Sequence, residues 1–557
     1  MRRFVYLLLL LPALLLLCAA QQNSDSKPSQ DQPENKSAKP AAPKKPEPKK
    51  AESKKAEDPA AKPTEPAPAA PDAKPSDDKK DKEEHFDMAE APPIVTHHQI
   101  SVGGTSLKYT ATTGRLPIKR SDGKIEAEMF FVAYTVDGAD SAKRPLTFAF
   151  NGGPGSATIW LHMGALGPRR VVLLADGNLP AAPYRIEDNA STLLDKSDLV
   201  FVDAIGTGYS RAENAEMLKK FLNVKGDIAA FSEFIRLYIS RYERWNSPLF
   251  LFGESYGTTR SAGIAGNLAE QGISFNGITL LSTAIDFQTL EDSKTNDEPY
   301  ILLIPSFTMI AGYHHKLPAD LQQDMTKARQ GSEQWASGEY AQALAKGDAL
   351  TPEEKQSVIE HMARFTGLSK DVLDQANLRI DVAKFTHYLL LDQKLRVGRL
   401  DGRFTGPDPD GLLDTPFFDP TEPAIVPPYN SVFNNYVRTE LGYKVDMPYN
   451  VFPREGGFKW EWGSAEAGFP STAMDLRHAI VQNPYLKILV MEGYYDLATP
   501  YYAANYTYQH MDLPAKFRSQ ISYSTYDAGH MVYLPVDQLK KMKSDEAHFV
   551  DNATASQ

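Results

Sequence analysis

A serine, an aspartate and a histidine in separate parts of the chain have the residue types of a nucleophilic hydrolase. Ser255 lies in the segment Gly253–Gly257, directly after the apolar run Leu249–Phe252 and before a run of small residues. Glycine two residues to either side of a serine is favoured where a strand turns sharply into a helix, because larger side chains would collide there. The pattern predicts that the Ser255 hydroxyl lies at the end of a strand and the Tyr256 N–H at the start of a helix.

A nucleophilic serine needs a base and an acid that orients the base. His530 follows a strand-like segment and precedes a C-terminal helix, which gives the chain order Ser, Asp, His. Asp496 follows the apolar run Ile488–Met491 by a short turn and is the predicted acid. It also suits the N-cap of a helix, and the two roles can coexist. Asp527 is a rival acid, but three residues from His530 on one loop it is better interpreted as a turn residue.

A glycine-rich loop, Asn151–Gly155, follows the apolar run Leu146–Phe150. Consecutive glycines let the backbone approach a ligand and turn its N–H groups inward, as an oxyanion hole requires. A phosphate-binding loop is excluded because no Gly-Lys-Ser/Thr follows. The chain has no His-Glu-x-x-His spacing, and its one cysteine rules out cysteine-rich zinc sites. We therefore expect no metal and no organic cofactor.

The elements that must position these residues follow from short apolar runs without alternation, separated by helix-length segments. Such runs predict strands covered on both faces, and therefore an α/β fold with a mostly parallel sheet. The runs are Leu146–Phe150, Leu199–Val202, Leu249–Phe252, Ile278–Leu281, Ile488–Met491 and Ile521–Tyr523. Upstream, Ile125–Val136 alternates apolar and charged residues at its start, and Ser101–Thr113 has a weaker version of this pattern.

Residues from about 286 to 484 break the repeating pattern and are predicted to form a helical and irregular cap inserted between two core strands. One of its helices should begin at Thr351, where Thr351 and Glu354 make a capping box with Pro352 in the first turn. We expect the hydrolase domain to span residues 93–547, followed by a short tail at 548–557.

The first twenty residues predict a secretory signal peptide, with Arg2 and Arg3 before an apolar run that ends near Leu17. Cleavage after Ala20 would leave a mature chain without cysteine. A lipoprotein signal with Cys18 as the lipidated residue remains open, although Leu17 stands where that signal has a small residue. Both interpretations predict export, either to the periplasm or outside the cell, with a lipid anchor in the second.

Residues 21–92 are predicted to be a disordered tether rich in Pro, Lys, Ala and Glu. From Gln21 to His85 the chain has no large apolar or aromatic residue, so it cannot offset its conformational entropy by burial. The formal net charge of the whole chain, −11, argues against a nucleic-acid partner, which would call for a basic face.

Five motifs in the right order resemble those of the serine carboxypeptidase family, whose members have an α/β-hydrolase fold. They are NGGPG at 151–155, Leu-Gly-Pro at 166–168, DAIGTGYS at 203–210, GESY at 253–256 and AGHMV at 528–532. The resemblance covers roughly residues 100–545. It implies that Ser255 is the nucleophile, His530 the base and Asp496 the orienting acid, with the N–H groups of Gly153 and Tyr256 forming the oxyanion hole.

The resemblance also implies that Asn151, Gly152 and Glu254 hold the terminal carboxylate of a peptide substrate. In the family a second glutamate shares a proton with the first, but Ala165 stands at that position here. Without this partner, the pKa of Glu254 is expected to be lower than in a paired site unless burial raises it. We therefore expect affinity to depend weakly on pH and substrates with a blocked carboxylate to be tolerated.

The sequence thus predicts an exported serine carboxypeptidase that acts on peptides. An esterase or acyltransferase remains open, because the same triad serves any acyl transfer. A non-catalytic binding protein on the same scaffold is a further alternative. The oligomeric state and the preferred side chains do not follow from the sequence.

Overall fold

A ten-stranded sheet forms the centre of the protein. The computed structural model describes residues 85–293, 295–408, 418–453, 458–463 and 468–555. The predicted signal peptide, residues 21–84 of the predicted tether and the last two residues of the tail lie outside the described residues. Within the described part, no helix is long and apolar enough to cross a bilayer.

Besides this large sheet, the described residues form two small two-stranded sheets. The strands in chain order are β1 (Ile94–Val102), β2 (Thr105–Lys119), β3 (Ile125–Val136), β4 (Leu146–Phe150), β5 (Arg169–Val171), β6 (Ile186–Asp188), β7 (Asp198–Val202), β8 (Arg211–Ala212), β9 (Leu249–Glu254), β10 (Gly277–Leu281), β11 (Leu395–Val397), β12 (Thr405–Pro407), β13 (Lys487–Gly493) and β14 (Ile521–Tyr526).

The large sheet has the strand order β1-β2-β3-β7-β4-β9-β10-β13-β14, and β8 pairs with β3. The five pairs from β7 to β14 are parallel, whereas β1, β2 and β3 are joined antiparallel, as are β3 and β7. All six predicted apolar runs lie in these parallel strands. The weak strand predicted at Ser101–Thr113 is instead two strands, because Gly103 and Gly104 adopt positive φ and form a hairpin turn.

Both faces of β4, β7, β9, β10 and β13 are buried, which explains why their sequences are mainly apolar. The last parallel strand, β14, is partly exposed. In β9, Phe250 and Phe252 belong to the hydrophobic cluster on one face, while Leu249 and Leu251 belong to the cluster on the other. Alternation of side chains along a strand produces this division. The predicted α/β-hydrolase fold, a mostly parallel sheet with helices on both faces, is confirmed.

Helices cover the sheet and build the region between β10 and β13. In chain order they are α1 (Ala215–Lys219), α2 (Val224–Arg241), α3 (Tyr256–Glu270), α4 (Glu298–Tyr313), α5 (Ala319–Gln322), α6 (Met325–Trp335), α7 (Ala341–Lys346), α8 (Pro352–Thr366), α9 (Lys370–Gln375), α10 (Val382–Tyr388), α11 (Glu422–Thr439), α12 (Ala473–Gln482), α13 (Tyr501–His510) and α14 (Val536–Thr554). Single π-helical turns lie at Leu161–Leu166 and Ala336–Tyr340.

The long stretch between β10 and β13 contains helices α4 to α12. Helices α4 to α10 contribute to a hydrophobic core of their own, which includes Phe307, Trp335 and Phe385. Helices α11 and α12 pack into the two clusters that cover the sheet. The stretch therefore supplies both a cap and part of the covering of the central sheet. Helix α8 has the predicted capping box between Thr351 and Glu354.

Candidate active site

Ser255 lies at a sharp turn between β9 and α3, with φ +61° and ψ −132°. A Cβ atom on Gly253 would lie 2.2 Å from the Gly257 carbonyl oxygen, and one on Gly257 would lie 2.7 Å from the Phe150 oxygen. Any larger residue at either position would therefore force the backbone apart. This is the physical reason for the two glycines, and it agrees with the turn predicted from the sequence.

The His530 imidazole is hydrogen-bonded to the predicted acid, with 2.8 Å between Nδ1 and Asp496 Oδ2. Asp496 is fully buried, and its carboxylate has three further donors. The N–H groups of Ala498 and Thr499 donate to Oδ1 at 2.7 and 3.0 Å, and the Thr499 hydroxyl donates to Oδ2 at 2.7 Å. Because α13 begins only at Tyr501, Asp496 caps the turn before the helix rather than the helix itself.

The Ser255 turn and the His530 loop are both hydrogen-bonded to the end of β10, the strand next to β9. The Ser255 N–H donates to the Leu281 carbonyl at 2.9 Å, and the adjacent Ser282 hydroxyl donates to the His530 carbonyl at 2.7 Å. In the described part of the chain, no hydrogen bond joins Ser255 Oγ to the imidazole. Such contacts are often long before substrate binds. The structure therefore brings Ser255, Asp496 and His530 to one edge of the sheet, following β9, β13 and β14.

The electrostatics of His530 are set by opposing effects. Burial lowers the pKa of the imidazole, but the charge of Asp496 and the hydrogen bond to it outweigh burial, so the pKa is raised above its ordinary value. The rival acid Asp527 is exposed. Its backbone oxygen accepts a hydrogen bond from Arg403 at 2.7 Å, as suits a turn residue.

The glycine-rich loop lies directly on the start of α3. A Cβ atom on Gly152 would be 2.4 Å from the backbone nitrogen of Tyr256, so only glycine allows this approach. Gly153 has φ +109°, a backbone conformation that also favours glycine. The loop that carries one predicted oxyanion donor is therefore in contact with the residue that carries the other.

The predicted carboxylate-binding residues Asn151 and Glu254 are buried side by side with Tyr533. Glu254 Oε2 accepts a hydrogen bond from the Tyr533 hydroxyl at 2.8 Å. Asn151 Oδ1 accepts one from the Leu161 N–H at 3.0 Å, which fixes the amide. The side chain of Asn151 also lies close to the Glu254 carboxyl and the Tyr533 phenol.

Burial raises the pKa of Glu254 to about 7, against the opposing effects of His530, Tyr533 and Asn151. From Ala165 we expected the pKa of Glu254 to be lower than in a paired site unless burial raised it. Burial does raise it here. Ala165 is itself fully buried in the π-helical turn Leu161–Leu166. The weak pH dependence expected from the sequence loses its physical basis, because a carboxyl with this pKa changes charge near neutral pH.

A short cap segment, residues 399–403, contacts both the histidine loop and the aspartate turn. The backbone N–H of His530 donates to the Leu400 carbonyl at 2.6 Å, and the backbone N–H of Leu497 donates to the Arg399 carbonyl at 3.0 Å. The buried carboxylate of Asp401 accepts from the Gly529 N–H at 3.1 Å and is paired with the Arg403 guanidinium. The cap thus helps to position two of the three predicted catalytic residues.

A buried ion pair supports the other side of the site. The guanidinium of Arg260 is fully buried, is paired with Asp227 and donates to the Asn151 carbonyl at 2.7 Å. It also lies over the Phe231 ring at 4.2 Å. The start of the glycine-rich loop is therefore held from helix α3 by a charged group.

A cavity of about 940 Å³ lies beside the glycine-rich loop. Its wall includes Arg211, Asn430, Tyr449 and Phe458, and a Cβ on Gly155 would lie 2.8 Å from the Phe458 ring. Two further aromatic side chains, Trp460 and Trp462, lie 5.1 and 6.0 Å from the Tyr256 ring. The wall of this cavity contains no residue of the predicted triad or of the glycine-rich loop, so the cavity adjoins the loop through Phe458 and is not itself the catalytic pocket.

Three features of the site were not predicted from the sequence: Thr499, Tyr533 and the segment 399–403. Thr499 was visible as a hydroxyl three residues after Asp496, a spacing typical of a capped turn. Tyr533 gave no local signal, because its partner Glu254 is 279 residues away in the chain.

A family model described as serine carboxypeptidase matches residues 105–387, just over half of the chain. The chain is also similar to three solved structures at low identity. A prohormone-processing carboxypeptidase from Saccharomyces cerevisiae, Kex1, is 16% identical with a TM-score of 0.48, over 80% of this chain and 91% of that one. A proline iminopeptidase from Mycobacterium smegmatis is 13% identical with a TM-score of 0.31, over 83% and 99%. A thermostable carboxyl esterase from Bacillus coagulans is 11% identical with a TM-score of 0.33, over 79% and 99%. A search of curated proteins found no match.

Proposed function

Because this chain belongs to the serine carboxypeptidase family, we propose that it releases C-terminal residues from peptides through an acyl-enzyme on Ser255. The observation that carries the proposal is the hydrogen bond of 2.8 Å between His530 and Asp496, on loops attached to the same strand end as the Ser255 turn. A hydrogen-bonded imidazole and carboxylate beside a strained serine turn are the parts that acyl transfer needs.

In the proposed reaction, Ser255 Oγ attacks the last peptide carbonyl and its proton passes to His530 Nε2. Asp496 keeps the other ring nitrogen protonated and stabilises the imidazolium. The N–H groups of Gly153 and Tyr256 donate to the negative oxygen of the tetrahedral intermediate. The C–N bond then breaks, and His530 gives its proton to the leaving amine. Water attacks the acyl-enzyme by the same route in reverse roles and frees Ser255.

Recognition of the peptide end is proposed for Asn151, the Gly152 N–H and Glu254. A carboxylate of the substrate is repelled by an ionised Glu254 but accepts a hydrogen bond from the protonated form. The pKa of about 7 supports this role, because burial keeps Glu254 protonated in weakly acidic solution. We therefore expect peptide acids to bind tightly at pH values below about 7 and more weakly at higher pH.

The proposal is tested with a fluorophosphonate probe and a peptide substrate. We expect the probe to modify Ser255, and Ser255→Ala or His530→Ala to lower kcat/KM by at least about a thousandfold with the fold retained. Ser332→Ala is a matched control, since Ser332 is a buried serine in cap helix α6 that hydrogen-bonds only within the helix. A protein that reacts at Ser255 and cleaves esters but leaves every peptide intact would instead be an esterase. Failure of the probe to react would indicate a non-catalytic scaffold.

Export is proposed from the sequence of the first twenty residues. A signal segment that is cleaved after Ala20, or one that is lipidated at Cys18, would direct export of the hydrolase domain together with the tether. Palmitate labelling of the expressed precursor distinguishes the two routes. Labelled wild type with unlabelled Cys18→Ala would establish the lipid anchor, and an unlabelled wild type would favour ordinary cleavage.

A further inference from the structure

The hydroxyl group of Tyr533 is the direct hydrogen-bond partner of Glu254. It donates to Oε2 at 2.8 Å, and both side chains are almost fully buried, at 1% and 3% exposure. Tyr533 lies three residues after His530. The loop that supplies the predicted base therefore also supplies a phenol to the carboxyl group that is proposed to meet the substrate.

We propose that Tyr533 is a specificity-determining residue that keeps the proton of Glu254 on Oε1, so that Glu254 donates a hydrogen bond to the terminal carboxylate of a peptide. The proposal rests on the function proposed above, because it assumes that this carboxylate binds at Glu254. It assigns to Tyr533 a role in the choice between peptide acids and peptides with a blocked end.

The two oxygens of a neutral carboxyl group differ in what they can do. One oxygen carries the proton and donates, whereas the other can only accept. Burial raises the pKa of Tyr533 well above its ordinary value, so the phenol stays protonated and donates to Oε2. The proton of Glu254 must then be on Oε1. A donor fixed in one direction is what a carboxylate ligand requires, since an unprotonated oxygen there would repel it.

Several groups around Glu254 affect its pKa. Burial is the largest effect and raises the pKa of Glu254 to about 7, although His530 and the hydrogen bonds of Tyr533 and Asn151 lower it; Asp496 raises it further. Tyr429 of α11 also lies within electrostatic range of Glu254, with its own pKa raised by burial. Tyr533 therefore adds a neutral donor and no second ionisable carboxyl group.

The position of the Tyr533 ring relates this role to Ala165. A Cβ atom on Gly164 would lie 2.8 Å from Cε2 of Tyr533, so the ring packs against the turn that carries Ala165. The resemblance places a second glutamate at position 165 in other members of the family. Here a phenol on the histidine loop lies beside that turn and makes the hydrogen bond to Glu254. A single group, rather than a pair that shares a proton, then governs the affinity for peptide acids.

The first test compares Tyr533→Phe with wild type on one peptide and its C-terminal amide, at about pH 6, where Glu254 is protonated. Loss of the orienting hydrogen bond should raise KM for the acid about fivefold to tenfold, with kcat and the KM for the amide unchanged. Tyr300→Phe is the control, because Tyr300 donates to Asp292 at the same distance of 2.8 Å but lies in the cap. An unchanged KM for the acid, or an equal rise for acid and amide, would overturn the proposal.

A second variant keeps the proposal testable even if Tyr533→Phe fails to fold. In Glu254→Gln the Tyr533 hydroxyl should hold the amide oxygen, so that the amide nitrogen donates to the substrate at every pH. KM for the peptide acid should then stay flat from about pH 5.5 to about pH 8.5, whereas KM in wild type rises above about pH 7. A KM in Glu254→Gln that is uniformly high, or that still rises through pH 7, contradicts the orientation by Tyr533.

Failure of this proposal differs from failure of the proposed function. If wild type releases no C-terminal residue from either substrate, the carboxypeptidase assignment is wrong. If wild type prefers the acid but Tyr533→Phe behaves like Tyr300→Phe, only the role of Tyr533 is wrong.

Discussion

Replacing Thr499 with valine removes one donor from Asp496 while keeping the branched shape of the side chain. Asp496 is fully buried and accepts four hydrogen bonds, of which the Thr499 hydroxyl supplies one at 2.7 Å to the same oxygen that binds His530. A hydrogen bond to a charged group contributes about 1.5–3 kcal/mol. The variant should therefore lose about this much free energy of unfolding.

The same interaction should appear in the rate, because the Thr499 hydroxyl holds the Asp496 carboxylate in the position from which it orients the imidazole. If all of the energy is lost as misalignment of the base in the transition state, kcat/KM falls between about 10-fold and about 150-fold, at 1.36 kcal/mol for each factor of ten. In the variant, Asp496 Oδ2 has one donor fewer and becomes a stronger acceptor for His530. The pKa of His530 should therefore rise further, and the acidic limb of the pH–rate profile should move to higher pH.

The assay measures kcat/KM across pH for a peptide acid and its amide, together with urea unfolding followed by fluorescence. Thr308→Val is the matched control, since Thr308 is a fully buried threonine whose hydroxyl donates to a backbone carbonyl within cap helix α4. It should lose stability without a change in the pH profile. The reasoning is refuted if Thr499→Val keeps the activity and pH profile of wild type, or if only the peptide acid is affected.

Three other predictions follow from the same geometry. Asp496→Asn should lower kcat by several orders of magnitude while Asp527→Asn stays active; the opposite result in steady-state kinetics would reverse the choice of acid. For peptide acids kcat/KM should be bell-shaped, because His530 must be neutral, which needs a pH above its raised pKa, and Glu254 must be protonated, which needs a pH below about 7; amides should show only the rising limb. Asp401→Ala should destabilise the fold by about 1.5–3 kcal/mol and lower kcat for acids and amides alike, since it removes the buried carboxylate that accepts from the Gly529 N–H and pairs with the half-buried Arg403; a stable variant with full activity in denaturation and kinetic assays would contradict this.

The fold and the positions of the reactive residues were largely predictable because they depend on local patterns. Strand β4 has the bounds predicted from its apolar run, since a strand buried on both faces has no charged residue to interrupt it. The Ser255 turn was predictable because its two glycines are needed within five residues of each other. Short-range steric requirements of this kind can be recognised in the sequence without knowledge of the fold.

What could not be predicted depends on contacts between distant parts of the chain. An amphipathic pattern shows that α11 and α12 bury one face, but not that this face packs on the sheet instead of the cap. The pKa of Glu254 depends on its burial among residues from several elements, and the pairing with Tyr533 exists only in the folded chain. Ala165 alone therefore gave an incomplete basis for the pH expectation.

The central claim, that the protein is a carboxypeptidase acting through Ser255, is tested most directly by mass spectrometry of a defined peptide mixture incubated with purified protein. We expect products shortened by one residue at a time from the C-terminus, with none in Ser255→Ala. Fragments from internal or N-terminal cleavage, or an identical ladder from Ser255→Ala, would contradict the account.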